Sequence, residues 1–336
     1  MRAWELRDAF GLEHLTLVDR QSERLGPGQV RVKLRAAALN YRDLLVARGH
    51  YDPRQRLPYV PLSDGVGEVV EVGGDVTRVA VGERVAGCFA QGWIAGEPSL
   101  ERLRRTLGSN LDGCLREEMV IDAEGVVRVP AQLTDVEAAT LPCAGLTAFS
   151  ALFTLGGLRA GQSVLVLGSG GVSVFALAFA RVAGARVIAT TSSKDKAERL
   201  RALGAEQVLN YREEPAWGRR VRELTGGRGV DLVVEVGGAG TLAQSLKAVR
   251  PGGMIALIGV LAGTQEKLNI LPAVMKQVCM QGVLVGHRDG FEAMNRAIES
   301  SGLRPVVDRV FPFDDAPAAF SHLASGEHFG KVVIEV

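Results

Sequence analysis

Closely spaced glycines in the middle of the chain are the residues best suited to bind a phosphate. Gly168, Ser169, Gly170 and Gly171 follow an apolar run, and an alanine-rich apolar stretch begins at Val172. A helix that begins at such a turn directs backbone N–H groups, and the positive end of its dipole, at open space. These five residues therefore predict a binding site for the pyrophosphate of a dinucleotide.

The elements around this turn have the order that dinucleotide binding requires. Residues 163–167 predict a buried parallel strand, residues 172–183 a helix that Gly184 ends, and residues 186–191 a second strand. The alternative is an ordinary strand–helix turn that binds no ligand. Ser173 stands where a third glycine normally lets the helix approach the strand, and serine is small enough to be tolerated there.

The length and composition favour a protein of two domains. Of the 336 residues, 47% are hydrophobic, and 39 Lys and Arg nearly balance 38 Asp and Glu. This balance argues against nucleic acid or a membrane as the main partner. Four scattered cysteines predict reduced thiols and a cytoplasmic location. Residues 138–158 carry no charge but are interrupted by Pro142 and glycines, so we expect a buried segment rather than a membrane span.

The hydrophobic pattern changes along the chain. Residues 30–34, 65–73 and 82–85 alternate like strands of an antiparallel β-rich domain. From about residue 160, predicted strands alternate with predicted helices, which indicates an α/β fold with a doubly wound parallel sheet. The strands are expected at 207–209, 230–236 and 254–258, the helices at 215–225 and 242–249, and a last strand at 331–334.

The order of these motifs resembles the medium-chain dehydrogenase/reductase superfamily over essentially the whole chain. The segments that carry the resemblance are 38–43, 81–85, 141–148, 168–172 and 251–253. The resemblance implies a GroES-like β-rich catalytic domain, formed by residues 1–122 and 288–336, and a Rossmann dinucleotide-binding domain, formed by residues 123–287. It also implies a homodimer or homotetramer that forms through sheet edges, here around residues 278–285.

Many members of this superfamily bind a catalytic zinc. Their ligand positions correspond to Asn40, Ser63 and Cys143 here, and only Cys143 offers a ligand that zinc favours. The four cysteines of the family's structural zinc site are reduced to Cys88 and Cys114. We therefore expect no metal. The Asn-x-x-Asp pattern that begins at Asn40 resembles the zinc-free quinone oxidoreductases, which have enoyl reductases as relatives.

The end of the second Rossmann strand bears on the choice of cofactor. Enzymes that use NAD usually place an acidic residue there to bind the ribose 2′-hydroxyl, whereas this chain has Ser192 and Ser193 followed by lysines. This favours NADPH over NADH, and by resemblance Lys196 and Tyr211 would bind the 2′-phosphate. The alternatives are that Ser193 only caps the next helix, and that Asp195 permits NADH to bind.

The resemblance assigns the remaining cofactor contacts. Thr147 would contact the nicotinamide ribose, because it lies in the family's Gly-Leu-Thr-Ala turn. The other expected contacts, with the nicotinamide or the pyrophosphate, are Gly237, Gly259, Val285, Gly286 and Lys331.

These features together predict hydride transfer to a quinone or an α,β-unsaturated carbonyl that is activated by hydrogen bonds. Asn40 would orient the nicotinamide or the acceptor oxygen. Tyr51 matches a proton-donating tyrosine of enoyl reductases, although its position is also typical of an exposed loop residue. Two other functions stay open: an alcohol dehydrogenase, which would require zinc, and a protein that binds NADPH without catalysis.

Overall fold

The computed structural model describes residues 1–52, 54–265 and 267–336. The chain divides into two compact units, and the first combines Met1–Leu146 with Val285–Val336, while the second is Thr147–Leu284. The strands are β1 (Arg2–Leu6), β2 (Leu15–Asp19), β3 (Gln29–Ala38), β4 (Asp64–Val72), β5 (Arg84–Gly87), β6 (Glu118–Asp122), β7 (Val126–Arg128), β8 (Ser163–Leu167), β9 (Arg186–Thr191), β10 (Gln207–Asn210), β11 (Val230–Glu235), β12 (Val249–Leu257), β13 (Cys279–Gly282), β14 (Val307–Pro312) and β15 (Lys331–Glu335). The helices are α1 (Tyr41–Ala47), α2 (Leu100–Arg104), α3 (Asp135–Ala138), α4 (Leu146–Phe149), α5 (Gly171–Val182), α6 (Lys194–Ala202), α7 (Trp217–Leu224), α8 (Leu242–Ala248), α9 (Leu271–Met275), α10 (Arg288–Ser301) and α11 (Ala316–Ser325).

The first unit is built on a largely antiparallel sheet. Among the described residues its strand order is β14-β15-β3-β4-β5-β7, and β6 also pairs with β3. Val30, Val32 and Leu34 of β3 are buried while Lys33 is exposed, which is the alternation that the sequence predicts. The GroES-like β-rich domain expected from the sequence is therefore confirmed as a fold.

The register of three neighbouring strands brings distant parts of the first unit together. Ala38, the last residue of β3, pairs with Val333 of β15 on one side and with Asp64 of β4 on the other. The end of β3, the beginning of β4 and the beginning of β15 therefore lie side by side. Asn40 lies two residues beyond the end of β3 and is the N-cap of α1.

The second unit contains a parallel sheet in the order β10-β9-β8-β11-β12-β13. The central strand β8 is buried along its whole length, and both β8 and β9 have the bounds that the sequence predicts. The expected Rossmann-type fold is confirmed. Because all these strands are parallel, their carboxyl ends lie along one edge, which we call the carboxyl edge, and ligands of such sheets bind there.

The uncharged segment 138–158 is helical and mostly buried, with π-helical turns at Leu141–Gly145 and Ser150–Thr154. No helix in the described parts of the chain is long and apolar enough to cross a membrane. Residues 123–146 belong to the first unit, whereas the sequence-based boundary at 122/123 assigns them to the dinucleotide-binding domain. The physical reason for the difference is that β7 pairs with β5 in the first sheet.

Candidate active site

The glycine turn in the second unit has the geometry of an anion site. Gly168 adopts a left-handed conformation with φ 76°, and its N–H donates to the carbonyl oxygen of Thr190 at 2.9 Å. Gly170 is the N-cap of α5, and no side chain of the described residues caps this helix. Its first backbone N–H groups are therefore left for a ligand. The residues predicted to bind pyrophosphate, from Gly168 to Val172, lie together in this turn.

Ser173 accounts for the departure from the glycine fingerprint. Its side chain is buried, and its hydroxyl donates to the carbonyl oxygen of Leu167 at 2.6 Å. Leu167 is the last residue of β8, so the serine ties the first turn of α5 to the strand that precedes it. A hydrogen bond here replaces the close helix–strand contact that glycine usually allows.

The residues expected to bind a 2′-phosphate gather at the carboxyl edge beside this turn. Asn210 pairs with Thr191 across β10 and β9, and the N–H of Tyr211 donates to the carbonyl oxygen of Thr191 at 3.0 Å. Ser193 accepts from the backbone N–H of Lys196 at 3.4 Å and so caps α6. Ser193 therefore has the capping role proposed as an alternative. Contact of these residues with a 2′-phosphate stays a prediction.

A buried carboxylate that the sequence analysis did not select shapes the next turn of the carboxyl edge. Glu235 is fully buried, and its Oε1 accepts from the N–H groups of Gly237 at 2.8 Å and Gly238 at 3.1 Å and from the hydroxyl of Thr241 at 2.6 Å. The hydroxyl of Ser245 donates to Oε2. The sequence does carry a signal for Glu235, which is an acidic residue at the end of an apolar run. Such a residue is buried with the strand, and a buried carboxylate requires hydrogen-bond partners.

The other predicted cofactor residues are placed as follows. Gly259 allows no side chain, because a Cβ there would lie 2.4 Å from the carbonyl oxygen of Val236. Thr147 is buried in α4. Val285 has a left-handed φ of 52°, and it belongs with Gly286 to the first unit. Their contacts with a cofactor stay predictions.

A cluster of buried polar side chains forms in the first unit where β3, β4 and β15 meet. The ammonium of Lys331 donates to Oδ1 of Asn40 at 2.5 Å and to the carbonyl oxygen of Leu39 at 2.6 Å. It also lies 3.6 Å from Oδ2 of Asp64. Lys331 is only 3% exposed and Asp64 is fully buried. Lys331 thus has contacts within its own unit, and its expected contact with a cofactor stays a prediction.

Asp64 connects this cluster to the π-helical turn. Its Oδ1 accepts from the hydroxyl of Ser63 at 2.8 Å, and its Oδ2 accepts from the backbone N–H of Cys143 at 3.2 Å. The amide Nδ2 of Asn40 in turn donates to Oγ of Ser63 at 3.4 Å. The three positions that correspond to the family's zinc ligands are therefore close to each other, in one network around Asp64.

This donor set does not fit zinc. An amide and a hydroxyl are poor zinc ligands, and burial raises the pKa of the Cys143 thiol, with a further increase from Asp64. The Lys331 ammonium also places a positive charge in the cluster. Because the Asp64 carboxylate 3.6 Å away offsets that charge, it is the types of the ligand atoms that disfavour zinc here. The described residues contain no group of three or more His, Cys, Asp or Glu side chains able to hold a metal.

Tyr51 lies outside this hydrogen-bonded cluster, as far as the described residues show. Its ring is 42% exposed, and the guanidinium carbon of Arg42 lies 5.0 Å from the ring centroid. The same guanidinium carbon lies 4.6 Å from the ring of Phe89, and its NH1 donates to the carbonyl oxygen of Leu107 at 2.8 Å. Arg42 thus fixes the position of an otherwise exposed tyrosine, and the proton-donating role of Tyr51 stays a prediction.

Comparisons with known proteins agree with both units. Residues 26–131 match the model of the alcohol dehydrogenase GroES-like domain, and residues 171–300 match that of the zinc-binding dehydrogenases. A zinc-type alcohol dehydrogenase-like protein of Schizosaccharomyces pombe is 41% identical over 94% of this chain and 92% of its own. The acryloyl-coenzyme A reductase of Metallosphaera sedula is 30% identical over 94% of each chain.

Solved structures give the same result. The crystal structure of a putative alcohol dehydrogenase from Sinorhizobium meliloti has a TM-score of 0.93 and 43% identity, and covers 100% of this chain and 98% of its own. A mycobacterial protein complexed with NADPH has a TM-score of 0.84 and 28% identity over 100% of both chains.

Asp43 makes the stability of the first unit depend on pH. This carboxyl is buried, accepts from the N–H of Asn40 at 2.7 Å, and faces the charges of Arg42, Asp64 and Lys331. Burial raises its pKa from 3.8 to about 6. A raised carboxyl pKa stabilises the fold at low pH, and this contribution is lost as the pH rises through about 6. We expect the loss to be about 3 kcal/mol.

Urea unfolding between pH 4 and pH 8 measures this contribution. Asp43→Asn should remove the decline, whereas Asp75→Asn, at an exposed position of the same unit, should retain it. Equal pH profiles for the wild type and Asp43→Asn would contradict the assignment.

Proposed function

Since the chain belongs to the medium-chain dehydrogenase/reductase superfamily, we propose that it is an NADPH-dependent, zinc-independent oxidoreductase. Its substrate class would be quinones or α,β-unsaturated carbonyls. The observation that carries this proposal is the buried ammonium of Lys331 beside Asn40, Ser63 and Asp64. The ammonium lies beside positions that, by the resemblance, correspond to zinc ligands, and the amide and hydroxyl at two of them are poor zinc ligands. In this proposal, activation of the acceptor therefore falls to hydrogen bonds.

Bound NADPH would supply the hydride, and the chain's own residues do the rest. The uncapped start of α5 binds the pyrophosphate through backbone N–H groups. Asn40 binds the acceptor oxygen, where negative charge develops as the alkene or quinone is reduced. Tyr51 is the candidate that holds the proton for the product, and Arg42 keeps its ring in place. The reductase name of the Metallosphaera sedula relative supports this substrate class.

The reaction is tested by following NADPH oxidation against a panel of quinones, enones and simple aldehydes. We expect turnover with the activated alkenes or quinones, no loss of activity after treatment with a chelator, and less than stoichiometric zinc by elemental analysis. Stoichiometric zinc, with activity lost to the chelator, would support an alcohol dehydrogenase instead. Tight NADPH binding without oxidation across the whole panel would support a protein that only binds the cofactor.

We also propose a preference for NADPH over NADH. Its support is that Ser192, Ser193 and Tyr211 directly follow β9 and β10, with Lys196 in the first turn of α6. The acid usual in NAD enzymes does not end β9. The complex of a mycobacterial neighbour with NADPH agrees with it.

Lys196→Ala should raise the KM for NADPH about 10- to 100-fold, because a charge-assisted hydrogen bond to phosphate is lost. The KM for NADH should change little. Lys194→Ala, at an exposed position of the same helix, is the matched control and should leave both values unchanged. A KM for NADPH that Lys196→Ala does not alter would refute the phosphate assignment.

We further propose a homodimer or homotetramer in the cytoplasm. The four cysteines are free thiols, as expected in a reducing compartment. The outer strand β13 of the parallel sheet is exposed at all four residues, and exposed apolar side chains lie nearby at Ile270, Leu271, Val274 and Met275. An uncovered strand edge with apolar neighbours favours pairing with a second copy.

Met280→Lys, in β13, should therefore shift the protein towards monomer in sedimentation velocity experiments, because a lysine on a strand edge opposes pairing. Val182→Lys changes an exposed apolar residue at the end of α5 and should leave the oligomer intact. Identical sedimentation of the wild type and Met280→Lys would argue against this interface.

A further inference from the structure

We propose that Lys331 is a positioning residue, which orients the side-chain amide of Asn40 so that one of its N–H groups faces the acceptor oxygen. This inference rests on the proposed function and explains how the hydrogen-bond donor for the acceptor oxygen, the Asn40 amide, is held in place. The ammonium itself does not contact the substrate in this arrangement, because Lys331 is 3% exposed and its Nζ is hydrogen bonded to Leu39 and Asn40.

The orientation of the amide follows from the chemistry of its neighbours. A lysine ammonium has three donors and no acceptor, so the Asn40 atom 2.5 Å away must be the amide oxygen. The amide nitrogen is then on the other side. One of its N–H groups makes a long contact of 3.4 Å with Oγ of Ser63, and the described residues offer its second N–H no acceptor.

The hydroxyl of Ser63 fixes the direction of its hydrogen bond with Asn40. It donates to Oδ1 of Asp64 at 2.8 Å, so it can only accept from Asn40. Asp64 is held by the N–H of Cys143 and by the charge of Lys331. Hydrogen bonds run from Lys331 to Asn40, from Asn40 to Ser63 and from Ser63 to Asp64, and the ion pair between Asp64 and Lys331 completes the ring. A flipped amide would place an N–H group against the ammonium.

The positive charge also strengthens the donor. A hydrogen bond from an ammonium to the amide oxygen polarises the amide and makes its N–H groups better donors. Asn40 is 9% exposed, which leaves it a small accessible surface. When hydride adds to the β-carbon of an enone, the electron pair of the double bond moves to the carbonyl oxygen. An N–H of Asn40 would bind that oxygen without giving up its proton, and the proton that completes the saturated product comes from Tyr51, the candidate donor named above.

Asn40→Asp separates this role from a purely structural one. Aspartate keeps an acceptor for the ammonium and is an equally good N-cap, but it has no N–H group. We expect kcat for enone reduction to fall about 100-fold, with KM for NADPH within about 2-fold of the wild-type value. Wild-type kcat in Asn40→Asp would overturn the inference.

Lys331→Met, with Lys33→Met as an exposed control on β3, tests the positioning itself. We expect kcat to fall about 10- to 100-fold in Lys331→Met and not at all in Lys33→Met. In an Asn40→Ala background the same change should have no further effect on kcat, because Lys331 acts through Asn40. Additive effects would overturn the inference. If Lys331→Met does not fold, Lys331→Gln replaces it. It removes the charge that polarises the amide, so its kcat must also fall, and this loss must likewise disappear in the Asn40→Ala background.

A binding measurement keeps this test separate from that of the proposed function. In the presence of NADP⁺, we expect the wild type to bind p-nitrophenolate, whose oxygen resembles the charged acceptor, more tightly than Asn40→Asp or Lys331→Met does. Equal affinities would overturn the inference whether or not the protein reduces enones. A wild type that oxidises no NADPH overturns the proposed function only, and the phenolate affinities then decide the role of Lys331 alone.

Discussion

The buried ion pair between Lys331 and Asp64 is the constraint that the strands and turns around the polar cluster of the first unit must satisfy. An ammonium and a carboxylate removed from water are each costly, and the loss of either partner leaves an uncompensated buried charge. Both charges are satisfied here by hydrogen bonds to backbone and side chains. The pair is possible only because Ala38 pairs with both β4 and β15. Strand register, helix α1 and the π-helical turn at Cys143 therefore all converge on one charged contact.

The second unit uses polar side chains for a different purpose. The first turn of α5 would present backbone N–H groups to a ligand, and Ser173 supports that turn through the carbonyl oxygen of Leu167 instead. Glu235 supports the turn after β11 by accepting from the N–H groups of Gly237 and Gly238 themselves. In the first unit, polar side chains position another side chain. In the second, they position the backbone itself.

Local patterns account for most of what the sequence predicts correctly. The strands β8 and β9, and the turn at Gly168, follow from apolar runs and glycines that lie within one short segment. Lys331 shows the limit of such reasoning. It contacts Asn40, which lies 291 residues earlier in the sequence. Because lysine is normally exposed, only the register of the three strands reveals that Lys331 is buried. Glu235 differs from Lys331, because an acidic residue at the end of an apolar strand can be recognised in the sequence as one that is buried and needs hydrogen-bond partners.

A zinc-independent reaction, as proposed here, bears on which acceptors the site would suit. A catalytic metal keeps an open coordination position and binds the substrate oxygen directly. The Lys331 ammonium instead donates hydrogen bonds to Leu39 and Asn40. In the proposed arrangement it would therefore polarise a substrate only by way of the Asn40 amide. A neutral N–H donor polarises an oxygen less than a metal does. The proposed arrangement would therefore suit quinones and conjugated carbonyls, in which negative charge spreads over an extended system and less stabilisation at one oxygen is needed.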